Sequence, residues 1–280
     1  MSKLHLLNLL LFVVVISLAS LIYFSEVPDT RLQLLTDISP DDIRSIKIQH
    51  NKNTTTINKL NETQWQVTQP VSIAANNFRI SSILKLLQAP VHKRYDLTEI
   101  DPGKIGLENP STSIQFDDTS IAFGLINTAT NLRYIRSENS IYTIEDVYYP
   151  LLSSNFSSLV SLNLLPVNST IEKLILLDQT IAKDEKGLWR SNREIDTDSI
   201  IKTIDYWQHR QAFGIHKYLP RNELSEVFIH IKNQAEPIRY IVTDTDPWLI
   251  LARPELELEY HLDIEAYEQL FKPGIDTQTD

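Results

Sequence analysis

The 280-residue chain has no cysteine, six glycines and one methionine. Without cysteine there can be no disulfides, thiolate metal sites, cysteine nucleophiles or lipid attachment through sulfur, although the redox compartment stays open. Six glycines are too few for collagen-like sequence or flexible linkers. No G-x-x-x-x-G-K-[ST], G-x-G-x-x-G, H-E-x-x-H or G-x-S-x-G pattern occurs. Gly103 and Gly106 are too close together to cradle a phosphate and shape a turn instead. Basic side chains are also the minority, 26 against 36 acidic. That balance argues against nucleic acid, whose binding depends on neutralising phosphates.

Long apolar runs are likewise scarce, with one exception. Residues 4–24 contain no Lys, Arg, Asp or Glu, and their centre runs Leu9-Leu10-Leu11-Phe12-Val13-Val14-Val15-Ile16. About 20 such residues span a hydrocarbon core of about 30 Å. Lys3 precedes the run and Glu26 and Asp29 follow it, so the positive-inside rule puts the N-terminus in the cytoplasm and the rest outside. The expected partner of residues 4–24 is the lipid bilayer. Cleavage after Ser17-Leu18-Ala19 is the rival reading, opposed by the apolar continuation to Phe24. The expected localisation is the cell membrane, single-pass, with an extracytoplasmic domain that is periplasmic in a Gram-negative cell. That domain carries 25 basic and 36 acidic side chains, since Lys3 is the only charge before Glu26.

Within that domain a long repeat is visible. Thr56-Ile57-Asn58-Lys59 precedes Trp65, and Thr180-Ile181-Ala182-Lys183 precedes Trp189 at the same separation. Val91-His92-Lys93 and Ile215-His216-Lys217 continue the match without a gap, and Ile46 and Ile48 correspond to Leu174 and Leu176. The expected organisation is therefore a cytoplasmic stub (1–3), a transmembrane anchor (4–24), a linker (25–37), two similar units (38–166 and 167–273) and a disordered tail (274–280).

Period-two alternation predicts strands at Ile46-x-Ile48, Trp65-x-Val67 and, in the second unit, Leu174-x-Leu176. Ile80, Ile83, Leu84 and Leu87 make one face of a helix, as do Ile200, Ile204 and Trp207, the latter helix capped by Asp196 or Asp198. Clustered strands with few helices give an α+β class with mostly antiparallel sheets.

Trp65-Gln66-Val67-Thr68-Gln69-Pro70, then Ala74-Ala75-Asn76, a helix to Leu87, and Gly106-Leu107-Glu108-Asn109-Pro110 resemble the domain-of-unknown-function 4340 family. The likeness covers most of the first unit and extends weakly into the second, which lacks the tryptophan-strand proline and the glycine-leucine turn. It implies a membrane-anchored extracytoplasmic protein, in some members an auxiliary part of transport or gliding systems, and it supplies no catalytic residues.

No catalytic, cofactor-binding or metal-binding residue is assigned, and no cofactor is expected. His92 and His216 draw notice through their equivalent places, and are read as structural, bridging backbone groups. Asp117-Asp118, Asp184-Glu185 and Asp244-Thr245-Asp246 are read as turns. Trp65 and Trp189 are read as core. The expectation is a non-enzymatic scaffold or accessory protein, which the resemblance implies is auxiliary to a transport or envelope complex, with another membrane or envelope protein as partner. A binding module for a polymer or small ligand and an unrecognised enzyme are the alternatives. The working surface is expected at the seam between units and at an insertion, residues 97–109; the alternative is that the insertion merely covers an exposed sheet edge.

Overall fold

The computed structural model describes residues 5, 11–18, 20, 33–222 and 224–273. Most of the apolar run 4–24, the linker to residue 32 and the tail 274–280 lie outside them. Residues 11–18 are helical, and the side chains of Leu11, Phe12, Val13, Val14, Val15, Ile16 and Leu18 are each 47–63% exposed. Among the described residues no helix is long and apolar enough to cross a membrane.

The chain folds into two large antiparallel sheets. The first begins with a meander of β2 (Ser45–His50), β3 (Asn53–Asn61) and β4 (Gln64–Gln69), edged by β5 (Ile73–Ala74). It continues through β8 (Thr112–Phe116), β9 (Thr119–Ile126), β10 (Leu132–Ser137), β11 (Ser140–Glu145) and β7 (Lys93–Asp96), giving the order β5-β4-β3-β2-β8-β9-β10-β11-β7. A two-stranded ribbon of β1 (Gln33–Leu34) and β6 (Pro90–Val91) lies beside it.

The second sheet is built from β12 (Ile171–Ile175), β13 (Thr180–Lys183), β14 (Trp189–Ser191), β15 (Gly214–Lys217), β16 (Ser225–Ile231), β17 (Ile238–Asp244), β18 (Leu249–Arg253) and β19 (Leu258–Leu262). Its order is β14-β13-β12-β16-β17-β18-β19-β15, the order of the first sheet without β5. The registers agree as well: Ile46 faces Ile57 and Lys59 faces Trp65, while Leu174 faces Ile181 and Lys183 faces Trp189.

Alternation explains why these segments pair. In β2, Ile46 and Ile48 point into the core while Lys47 and Gln49 face water. Each fully buried aliphatic side chain contributes about 1.5–3 kcal/mol. Over each core lies a helix: α1 (Asn77–Leu84), capped by Asn76, on the first, and α3 (Thr197–His209), capped by Asp196, on the second. A short closing helix follows each sheet, α2 (Tyr149–Leu152) and α4 (Glu265–Phe271).

The insertion has a core of its own. Asp101 caps the 3-10 turn Pro102–Ile105, and Gly106 at φ 73° reverses the chain. Ile105 and Leu107 then pack on the outer face of the first sheet against Ala122 and Ile141. Gly124 permits the approach, since a Cβ there would lie 2.3 Å from the Ile105 carbonyl oxygen. The insertion thus seals a sheet face.

Candidate functional site

The two sheets meet along the chain between them, which is hydrogen-bonded to both. Ser161 N–H donates to the Ala74 carbonyl and Asn76 N–H to the Leu159 carbonyl on one side. On the other, Ala212 N–H donates to Leu162 and the Tyr240 hydroxyl to Leu164. This seam carries a groove of about 790 Å³. Leu60, Trp65, Phe78, Leu162, Pro166 and Val167 give it apolar walls, and Gln64, Asn76, Asn77, Asn163 and Gln211 supply amides. Several amides are held in place. Asn77 accepts from Trp65 N–H at 3.3 Å and donates to the Thr63 carbonyl at 2.7 Å, and Gln211 donates to Asn163 at 2.8 Å. Phe78 is 78% exposed although it stands on a helix whose other face is core.

A smaller cleft of about 330 Å³ shares Leu60, Ala74, Pro166 and Val167 with the groove and runs on to Arg253 and Tyr260. Arg253 is committed to Glu255 at 2.9 Å and stacks over the Tyr240 ring. A third cleft of about 450 Å³ lies between His50, Lys52 and Gln69 of the first half and Lys217 and Glu257 of the second.

A separate cluster occupies the outer face of the second sheet. Buried Glu259 accepts from Arg221 at 3.1 and 3.2 Å, from Leu219 N–H at 3.1 Å and from His261 Nε2 at 2.8 Å. Burial pushes its carboxyl up, but the hydrogen bonds from His261, Leu219 and Arg221 together hold it below the usual range. The His216 ring lies 4.5 Å from that of His261, and burial and the neighbouring imidazole lower its pKa against the pull of Glu259. Gly214 makes room, since a Cβ there would lie 3.0 Å from His216 Nε2. Phe213 and Trp248 stand beside His261, their rings 5.5 Å apart and T-shaped, and are 55% and 49% exposed.

Several residues singled out in the sequence stand elsewhere than expected. His92 is exposed, its own N–H donating to the Thr143 carbonyl, and the ring of His216 stacks on that of His261. Trp65 is buried, but Trp189 is only half-buried, because β14 is a sheet edge with no counterpart of β5 beside it. The acidic pairs do form turns: Asp117 accepts from Arg44 and Ser45 N–H, Asp184 from Lys186 and Leu188 N–H, and Asp244 from Thr245 and Asp246 N–H. None of residues 97–109 lines these three clefts. Phe213, Trp248 and His261 were not singled out. The signal for Trp248 was its phase, one residue out of step with core Leu249 and Leu251.

Among the described residues no group of three His, Asp or Glu gathers to hold a metal ion. The family model for a domain of unknown function, DUF4340, matches residues 65–226, more than half of the chain. No curated protein and no solved structure matches it.

Proposed function

This chain belongs to the domain-of-unknown-function 4340 family, and from that premise we propose that it is a non-enzymatic accessory protein, anchored by residues 4–24, whose extracytoplasmic part receives a segment of another membrane or envelope protein in the seam groove. The groove carries the reading. Its lining is apolar, amide and hydroxyl, which suits an uncharged extended segment bound by apolar contact and main-chain hydrogen bonds. A titratable pair, the usual equipment of acid–base chemistry, belongs to a different kind of site.

The anchor is supported by the charge-free run 4–24 and by the exposed aliphatic surface of residues 11–18. Seven large apolar side chains in water cost free energy that a hydrocarbon environment removes. Two tandem copies of one unit are supported by the shared strand order and by the matched Lys59–Trp65 and Lys183–Trp189 registers. Each of these lysines also approaches its tryptophan ring, at 6.0 and 5.0 Å.

The test is purification of the full chain from mild detergent, with co-purifying membrane proteins identified by mass spectrometry. Phe78→Ala combined with Val167→Asp alters two exposed positions and should change stability by no more than about 0.5 kcal/mol each. The expected result is loss of the partner that the unaltered chain retains; retention of the same partner overturns the reading. For the anchor, a reporter active only outside the cytoplasm, fused after Asp280, should be active. A reporter active only inside the cytoplasm at that position would reverse the assigned orientation.

A further inference from the structure

The cleft that holds Lys52 and Lys217 is polar where the seam groove is apolar. It measures about 450 Å³, a size suited to a small molecule, and it lies where the two halves of the chain meet. The first half supplies the tip of the β2–β3 hairpin, the end of β4 and the segment after α2. The second supplies the end of β15 and the residue before β19. β15 packs on the 3-10 turn Phe156–Leu159, which draws these pieces together.

The groups left free in this cleft are mostly donors. The side-chain carbonyl of Gln69 accepts from the Thr56 hydroxyl at 3.3 Å, and that of Asn155 accepts from Ser157 N–H at 3.0 Å. The end of each amide without a partner is therefore its NH2. Ser154, whose hydroxyl donates to the Pro150 carbonyl at 2.7 Å, is an exception. Thr55 is only 8% exposed, yet its hydroxyl has no hydrogen-bond partner among the described residues. A buried hydroxyl in that state costs free energy that a bound acceptor removes. The His50 ring is spent: its Nε2 accepts from the Asn51 amide at 3.0 Å, which leaves Nδ1 to donate to the Thr112 hydroxyl at 2.7 Å.

The charges point the same way. Lys52 and Lys217, one from each half, line the cleft, and neither makes an ion pair among the described residues. Glu257, the one carboxylate of the lining, is likewise unpaired. Two ammonium groups against one carboxylate make the cleft cationic in a chain of net charge −10. The acidic remainder is screened beyond about 8 Å at physiological salt, so local contacts decide what binds.

We propose that this cleft binds a small ligand through an oxyanion, a phosphate or carboxylate group held between Lys52 and Lys217. Thr55 and the NH2 groups of Gln69 and Asn155 donate to its remaining oxygens. Such charge-assisted hydrogen bonds are about twice as strong as neutral ones. The site needs both halves, since each contributes one of the two cations.

The test is calorimetry on the full chain in mild detergent, titrated with inorganic phosphate and, separately, with citrate, at ionic strength held constant with sodium chloride. Saturable binding of at least one of them is expected, and the tighter of the two identifies the oxyanion. Lys52→Gln and Lys217→Gln should each weaken it about tenfold, the loss of one charged hydrogen bond. Lys104→Gln, on the insertion, should leave it unchanged. Thr55→Val should also weaken binding, but without lowering the melting temperature, because it breaks no hydrogen bond of the free protein. Phe78→Ala in the seam groove should have no effect, so this site and the groove fail separately. Absence of saturable binding by either anion, indifference to both cleft lysines, or equal weakening by Lys104→Gln each overturns the proposal.

Discussion

Trp207→Ala is expected to remove about 5 kcal/mol of stability, the top of the range for truncating a buried aromatic. The indole is fully buried, packs edge-on against Phe271 at 5.6 Å and lies 6.2 Å from Tyr240. It also joins α3 to α4, since its Nε1 donates to the Leu270 carbonyl at 2.9 Å. Truncation therefore opens a large void and leaves a buried carbonyl without its donor, and the two losses add. A domain is stable by only about 5–15 kcal/mol, so the variant should be close to unfolding. Trp189→Ala, at a half-buried sheet edge, should cost roughly 1 kcal/mol. Urea denaturation of both variants measures the contrast. Equal losses would mean that burial does not separate the two tryptophans.

Arg133→Ala is expected to cost about 3–4 kcal/mol. Arg133 is buried, pairs through two nitrogens with Asp146, donates to the Gly124 carbonyl and stacks 3.7 Å over the Tyr149 ring. Removing one member of a largely buried pair leaves the other charge desolvated, and that penalty exceeds the net worth of the pair. The planar guanidinium satisfies two carboxylate oxygens and a carbonyl at once, which a point ammonium cannot do. Arg133→Lys should therefore recover less than half of the loss. Arg133→Met with Asp146→Leu, which removes both charges, should be milder than Arg133→Ala alone. Full recovery with lysine would show that charge alone, without the fork, is what the site requires.

How much of this was legible in the sequence depended on the range of the interaction. Ile46, Ile57, Leu174 and Ile181 declare their strands because alternation is local, and Asp196 declares a helix start because a cap lies three residues from the N–H it accepts. The matched lysine–tryptophan spacing corresponds to matched cross-strand registers. Less could be read wherever a distant segment decides exposure. Trp189 resembles Trp65 in its flanking residues, yet only Trp65 has β5 beside its strand. Residues 97–109 differ between the two halves, which suggested a working surface. How they pack depends on Gly124, a residue in a different strand whose missing side chain leaves space for Ile105. Phe213 and His261 lie 48 residues apart in sequence and meet only through the pairing of β15 with β19. The resemblance indicated the family and stopped short of a site.

The chain between the sheets gives its hydrogen bonds to both sides. Ser161 donates to Ala74 of the first half and Leu159 accepts from Asn76 there, while Leu162 and Leu164 accept from Ala212 and Tyr240 of the second. Neither half can come apart without stripping partners from residues that the other half also holds. Melting should therefore be a single cooperative event, and the amides of Asn76, Ser161 and Ala212, which donate across the seam, should exchange with solvent only on global unfolding. A pull transmitted from the membrane end would meet the same arrangement, with load shared by both sheets at once, so the chain would resist it as one mechanical body.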